Sequence, residues 1–294
     1  MAQSATRMGG TMERYGALCL LVLWVWWPVG GVWADSGGPP VEASAVAEGK
    51  ADNKAETGKE TVAAKKPSAD AGQILAQVDR KLQPDSFELF AQVTSQLPNG
   101  RTSQISLYVI RGNGKKAAAL VLAPDYLTGR AVLRLEDEVW MHVPGELELR
   151  PSALNHSLAG TAAGGFNNAD LLMTDWSVDY KANLLEEDAD SYLLELLPRD
   201  ARQPYAKQRL RVDRKRMLPK TLQQYGANGI LLKTVTFDKV SSLFGFPRPG
   251  VLQTAGGPNN ALTATWQLGS IKPRVFPPEA FTKEFLSKVG TLFK

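Results

Sequence analysis

Reactive side chains are scarce in this chain, which has one cysteine, Cys19, and two histidines, His142 and His156, among 294 residues. Cys19 lies inside an early apolar run, so the chain beyond it has no thiol and can form no disulfide, and a folded domain there must rest on an ordinary hydrophobic core. Two histidines and no cysteine leave out most transition-metal sites and cysteine-dependent catalysis. His156 falls in a polar loop and His142 at a strand end beside Trp140 and Pro144, and both read as structural. No G-x-S-x-G elbow, phosphate-loop spacing or H-E-x-x-H occurs. The nearest phosphate-like string, Gly112 to Lys116 (GNGKK), reads as a hairpin turn. A strong charge of one sign is also missing: the formal net charge is +4, too mild to imply nucleic acid.

Arg7 and Arg14 precede the apolar run GALCLLVLWVWW from Gly16 to Trp27, and Val32-Trp33-Ala34 follows as a cleavage point. That is the layout of a signal peptide of residues 1–34. An uncleaved anchor is the other reading, but a spanning helix needs about 20 continuous apolar residues, and Pro28, Gly30 and Gly31 interrupt this run. Losing Arg7, Glu13 and Arg14 would leave a charge of +3. Residues 35–69 hold Ala, Gly, Glu, Lys, Pro, Ser and Asp with only Val41, Val46 and Val62 as larger apolar side chains. Such a segment buries too little to offset its ordering entropy and reads as a disordered tether.

The folded domain is expected over residues 70–294. Asp70 caps a helix carrying Ile74, Leu75, Val78 and Leu82, which ends before Pro84. From Ser86 the period changes to two. Phe87, Leu89, Ala91 and Val93 alternate in one strand, and Ile105, Leu107 and Val109 in the next. Strands over 117–123, 130–135 and 139–143 complete a meander. Asn99-Gly100, Asn113-Gly114 and Asn228-Gly229 are read as type I′ hairpin turns. Residues 151–176 break the alternation and predict loops with one or two short helices. Strands are expected again over 177–185, 191–197, 205–212, 221–225, 230–240 and 264–268, with a long loop over 244–260 and a closing helix over 278–289. About eleven strands in succession imply a curled antiparallel sheet, an incomplete β-barrel covered by short helices.

Polar clusters in this frame have plain readings. Glu186, Glu187, Asp188 and Asp190 form a solvated hairpin tip, with a calcium site as the sharper alternative. Arg209 and Arg211 share a strand face with Tyr205 and Lys207, opposite Leu210 and Val212. With Arg214, Lys215 and Arg216 they suggest either a solvated face or a landing patch for anionic lipid. Trp140, Trp176 and Trp266, with Tyr108, Tyr180, Tyr192, Tyr205 and Tyr225, are spread over the strands. A lining that apolar is either a packed core or a pocket.

The order of weak features resembles a known family. Leu107 to Ile110, Pro124 with Gly129, Leu133, Trp140 to Pro144, Phe166 to Leu171, Tyr205, Leu218-Pro219, Tyr225 and Gly229 to Lys233 are similar to the outer-membrane lipoprotein-sorting proteins, the periplasmic LolA/LolB-like carriers. Asn167-Asn168 departs from the acidic residue that many relatives have there, and the carriers' lid-latching arginine has no assigned counterpart. The resemblance implies an incomplete barrel with a helical lid over an apolar cavity for acyl chains. It implies a non-catalytic, cofactor-free periplasmic carrier of lipoproteins or other lipids bound for the outer membrane, working with an inner-membrane transporter and an outer-membrane acceptor. Candidate lining residues, chosen for apolarity at alternate strand positions, are Leu107, Val109, Leu133, Trp140, Leu194, Leu196 and Phe237. The alternatives are a non-catalytic envelope interaction module beside a transporter complex and a hydrolase of envelope material.

Overall fold

The computed structural model describes residues 69–160, 165–243 and 246–293, all within one compact unit, Val62–Lys294. The expected signal segment, and the expected tether except its last residue, lie outside the described residues. Helix α1 (Ala71–Leu82) begins where Asp70 accepts from the backbone N–H of Gly72 at 2.8 Å and of Gln73 at 3.4 Å. These bonds satisfy donors that a first helical turn leaves free. Ile74, Leu75 and Val78 recur at helical spacing and are buried, and Arg80 and Lys81 in the last turn suit the negative end of the helix dipole.

The strands are β1 (Phe87–Gln96), β2 (Thr102–Arg111), β3 (Lys116–Ala123), β4 (Ala131–Leu135), β5 (Glu138–His142), β6 (Arg150–Ser152), β7 (Tyr180–Glu187), β8 (Ser191–Pro198), β9 (Lys207–Asp213), β10 (Leu218–Tyr225), β11 (Leu231–Leu243), β12 (Phe246–Gly256) and β13 (Leu262–Pro273). They form one antiparallel sheet of 13 strands among the described residues, ordered β6-β5-β4-β3-β2-β1-β13-β12-β11-β10-β9-β8-β7. The chain runs from the middle of the sheet out to β6, crosses to the far edge at β7, and returns to pair β13 with β1. The sheet is curled and not closed. The crossing segment carries α2 (Asn168–Leu172) and α3 (Trp176–Asp179), so the topology itself draws a strap across the inner face.

Two clusters fill that inner face. Ile74, Leu75 and Val78 of α1 pack on Leu194, Leu196, Leu210, Val212, Leu222 and Val235. Leu171 and Leu172 of α2 join Leu89, Val93, Leu107, Val109, Val121 and Trp266. The outer face of β2 to β4 is covered too, because Phe276, Phe281, Leu286 and Val289 pack on Tyr108, Ile110, Leu120 and Leu133.

The structure corrects several expectations. Residues 244–260, read as a loop from their Gly and Pro content, contain β12. Its Pro247 and Pro249 sit where the strand pairs with β11 alone, since pairing with β13 begins only at Val251. A missing N–H is tolerated at such a local edge. The closing helix is instead two 3₁₀ segments, Pro278–Phe281 and Leu286–Phe293, whose side chains dock on the outer face. Residues 177–179, expected to begin a strand, belong to α3, and β6 was not foreseen. The Asn-Gly turns are not type I′, for only the glycines, Gly100, Gly114 and Gly229, have positive φ. Gly100 N–H donates to Leu97 O at 2.9 Å while Leu97 N–H donates to Arg101 O at 2.8 Å, and the Gly226 to Ile230 turn repeats the pattern. That is a tight turn followed by a left-handed glycine, the usual longer hairpin loop.

The outer clamp is tight at one glycine: a Cβ at Gly112 would lie 2.8 Å from the Phe281 ring. Phe281→Ala should therefore lower the unfolding free energy by about 3 kcal/mol, the lower end for emptying a buried phenylalanine site. Urea denaturation at neutral pH measures this, and a change within 0.5 kcal/mol would show that the C-terminal segment only rests on the sheet.

Candidate functional site

The strap over the inner face is built from short helices that could not stand alone. At α2, Asn167 accepts from Asp170 N–H and Asp170 accepts from Asn167 N–H, a reciprocal capping box. Asp170 also takes Lys233 Nζ of β11 at 2.5 Å and the Tyr205 hydroxyl at 3.0 Å. At α3 the cap residue Asp175 makes no side-chain cap bond, because its carboxylate is engaged with the Arg111 guanidinium of β2 at 3.0 and 2.5 Å. The vacated cap position is filled from α1: Asp79 accepts from Trp176 N–H at 3.1 Å and Ser177 N–H at 2.9 Å. Asp179 closes the strap with two 2.7 Å bonds from Arg134 of β4. Burial raises the Tyr205 phenol well above its ordinary value, and Asp170 beside it adds to the effect.

Beneath the strap lies a cavity of about 140 Å³, within a cleft of about 1060 Å³ counting the solvent at its mouth. Its walls include Leu82, Phe166, Met173, Trp176, Leu222, Val235, Phe237, Leu252, Trp266, Leu268 and Ile271. Trp176 meets Phe237 edge to face with centroids 6.2 Å apart, and Phe166 leans on Trp266 at 4.6 Å, so aromatic rings span from strap to floor. A few polar groups interrupt the apolar wall, notably Gln208, Gln224 and Arg248. The Gln224 amide donates to Gln208 at 3.1 Å. An apolar concavity with a few placed polar groups is the usual form of a small-molecule site.

Of the residues chosen from sequence, Phe237 lines this cavity. Leu194 and Leu196 lie beneath α1 in the same apolar cluster, and Leu107 and Val109 lie beneath α2. Leu133 and Trp140 stand on the outer face against the C-terminal segment, where Lys283 Nζ sits 3.7 Å over the Trp140 ring. Strand β3 is buried on both faces, with the pattern eBBBBBii, so alternation there carries no sign of in and out. Arg248, Leu252, Trp266, Leu268 and Ile271 were not among the chosen residues. Two of them fall in the stretch taken for a loop, although the spacing of Arg248 and Leu252 fits one face of a strand. The acidic tip and the basic strand turn out to be neighbours: Arg214 pairs with Glu187 at 3.1 Å and Arg211 with Glu186 at 3.4 Å.

A large antiparallel sheet, curled but open, with short helices across its concave side defines the class of fold, a LolA-like open barrel. A family model described as "-like: Uncharacterized protein" matches residues 113–288, more than half of the chain, and the chain belongs to that family. The structure is similar to a LolA superfamily protein of Nitrosomonas europaea, with a TM-score of 0.68 and 24% identity over 74% of this chain and 100% of the other. It is also similar to a putative outer membrane lipoprotein-sorting protein domain of Vibrio parahaemolyticus (TM-score 0.62, 18% identity, 74% and 98% of the two chains). A DUF1329 family protein of Desulfovibrio piger is comparable (0.62, 16%, 74% and 97%). No curated protein matches the chain in sequence. Among the described residues no helix is long and apolar enough to cross a membrane, which says nothing of strands.

Asp79, 5% exposed, has its carboxyl raised from 3.8 to about 6, chiefly by burial and less by the nearby Asp175, against the opposing pull of the Ser177 side chain and of the Ser177 and Trp176 N–H groups. An acid whose pKa is higher folded than unfolded keeps its proton longer in the fold, so its contribution to stability declines as pH rises from 3.8 to about 6. Asp79→Asn should remove that decline. The stability of wild type minus variant is then expected to fall by about 2 kcal/mol between pH 4 and pH 7, as read by denaturation at several pH values. A difference independent of pH would mean that folding leaves the Asp79 carboxyl at its ordinary pKa.

Proposed function

We infer that this protein is a periplasmic carrier that takes acyl chains of lipoproteins or other lipids into the cavity beneath α1, α2 and α3 for delivery toward the outer membrane. The observation that carries this reading is the aromatic and aliphatic cavity roofed by a strap of two short helices. Residues 1–34 serve export, 35–69 act as a tether, and 70–294 are the lipid-binding domain. Phe237 contacts the ligand, with Leu194 and Leu196 behind it. The physical need is plain: each methylene of an acyl chain is worth about 0.8 kcal/mol when buried, so a chain cannot cross water without a removable apolar lining. The likeness to a lipoprotein-sorting domain supports the same direction, as does the engagement of Asp79, Asp170, Asp175 and Asp179 in holding the strap, which leaves them ill-suited to catalysis. An inner-membrane transporter as donor and an outer-membrane acceptor complete the proposed route.

A second reading, a non-catalytic interaction module, draws on the exposed apolar tip Ile230, Leu231 and Leu232. Native mass spectrometry separates the two. Protein purified from periplasm without detergent should carry lipid at defined stoichiometry, whereas a bare mass that persists after incubation with envelope lipids would favour the interaction module. Phe237→Ala should reduce lipid retention while Trp140→Ala leaves it unchanged and lowers the melting temperature. Equal loss of lipid in both variants would count against this cavity as the site.

A further inference from the structure

Four cations are buried among the described residues: Arg111, Arg134, Lys233 and Arg248. Three have a carboxylate, Asp175, Asp179 and Asp170 respectively. Arg248 has none. It is 3% exposed, it lines the cavity, and its Nε and Nη1 have no hydrogen-bond partner. A guanidinium left this way is costly, since it does not readily shed its charge and its donors lie in an apolar wall.

The cavity offers Arg248 no relief of its own. Its carboxylates are committed elsewhere: Asp79 to the α3 backbone, Asp170 to Lys233 and Tyr205, Asp179 to Arg134 and Thr174. Two further lining groups are also unsatisfied, the Trp266 indole N–H and Gln224 Oε1. Arg248 is held in place by its strand, for Ser241 of β11 is its register partner, while β13 has already parted from β12 at this level. Desolvation lowers its pKa, the direction expected of a cation waiting for a counter-charge.

We propose that Arg248 is the anchor for the acidic head of an amphiphile, pairing its guanidinium fork with a carboxylate or phosphate while Leu222, Val235, Phe237, Leu252 and Ile271 receive the tail. This rests on the carrier reading and deepens it, because it assigns a charge and an orientation to the cargo. The planar fork matches two oxyanion oxygens at once, and the apolar surroundings strengthen the pair. Neutral and cationic amphiphiles of equal length leave the guanidinium unpaired or repel it, so the site discriminates by head group and not only by chain.

The test uses the mature protein from periplasm, stripped of lipid, titrated below micelle concentration with laurate, dodecyl phosphate, dodecanol and dodecyltrimethylammonium, with intrinsic tryptophan fluorescence as the readout. At least one of the two anions is expected to bind roughly 10- to 100-fold more tightly than dodecanol, the range for a charge-assisted hydrogen-bonded pair. The cation should bind most weakly, and the tighter anion identifies the head group. In Arg248→Gln the ratio of anion to alcohol affinity should collapse toward one, and Arg248→Lys should restore part of it. The ligand-free Arg248→Gln variant should melt no lower than wild type, since it loses an uncompensated charge. Should the variant fail to fold, the wild-type series alone decides. Dodecanol binding as tightly as both anions overturns the anchor and leaves the carrier reading standing. Failure of all four to bind overturns both.

Discussion

Lys233 to Asp170, Arg111 to Asp175 and Arg134 to Asp179 are the contacts on which the covered concavity depends. Every cation sits on a strand and every anion on the strap. The strands are β11 on one side of the β1 to β13 junction and β2 and β4 on the other, so the strap is tied to both halves of the open sheet. Buried pairs of this kind add little net stability over apolar packing, but removal of one partner is expensive because the other is left charged and dry. Their effect here is to specify where an otherwise unstable pair of short helices must lie.

The same economy of groups couples α1 to the strap. Asp175 stands at the N-cap of α3 but is turned to Arg111, and the two exposed N–H groups of Trp176 and Ser177 are taken by Asp79 from α1. Gln83, just past the end of α1, donates to Met173 O at 2.9 Å. The cover over the inner face is therefore one hydrogen-bonded body of three helices, not three independent plugs.

Much of this fold was legible. Asp70, Ile74, Leu75 and Val78 spell out α1 completely, and the alternation from Phe87 to Val93 marks β1, whose one face lies under the helices and whose other is less buried. Legibility failed where a strand is covered on both sides or bordered on one. Ala117 to Val121 show no alternation in burial, so Leu133 and Trp140 on neighbouring strands could not be assigned a face. Pro247 and Pro249 concealed β12 because their cost disappears only at a local edge, which is a property of β13's departure and not of residues 246–250. Arg248, hidden in that stretch, could be recognised only once its lack of a partner was visible, since an arginine's sequence neighbours say nothing of the carboxylates that fold around it.

The cavity sits at the seam between the two apolar clusters. Its wall takes Phe166, Trp266, Leu268 and Ile271 from the cluster under α2, and Leu82, Leu222, Val235 and Phe237 from the cluster under α1, with Leu252 packed against both. A seam differs from a hole inside one core. Interior packing is dense within each cluster, and the space is left where the two fillings meet. An open sheet with two separate fillings thus keeps its cavity at their boundary and not inside either core. The guanidinium of Arg248, without a hydrogen-bond partner at Nε and Nη1, stands at that boundary, so the wall there is charged as well as apolar.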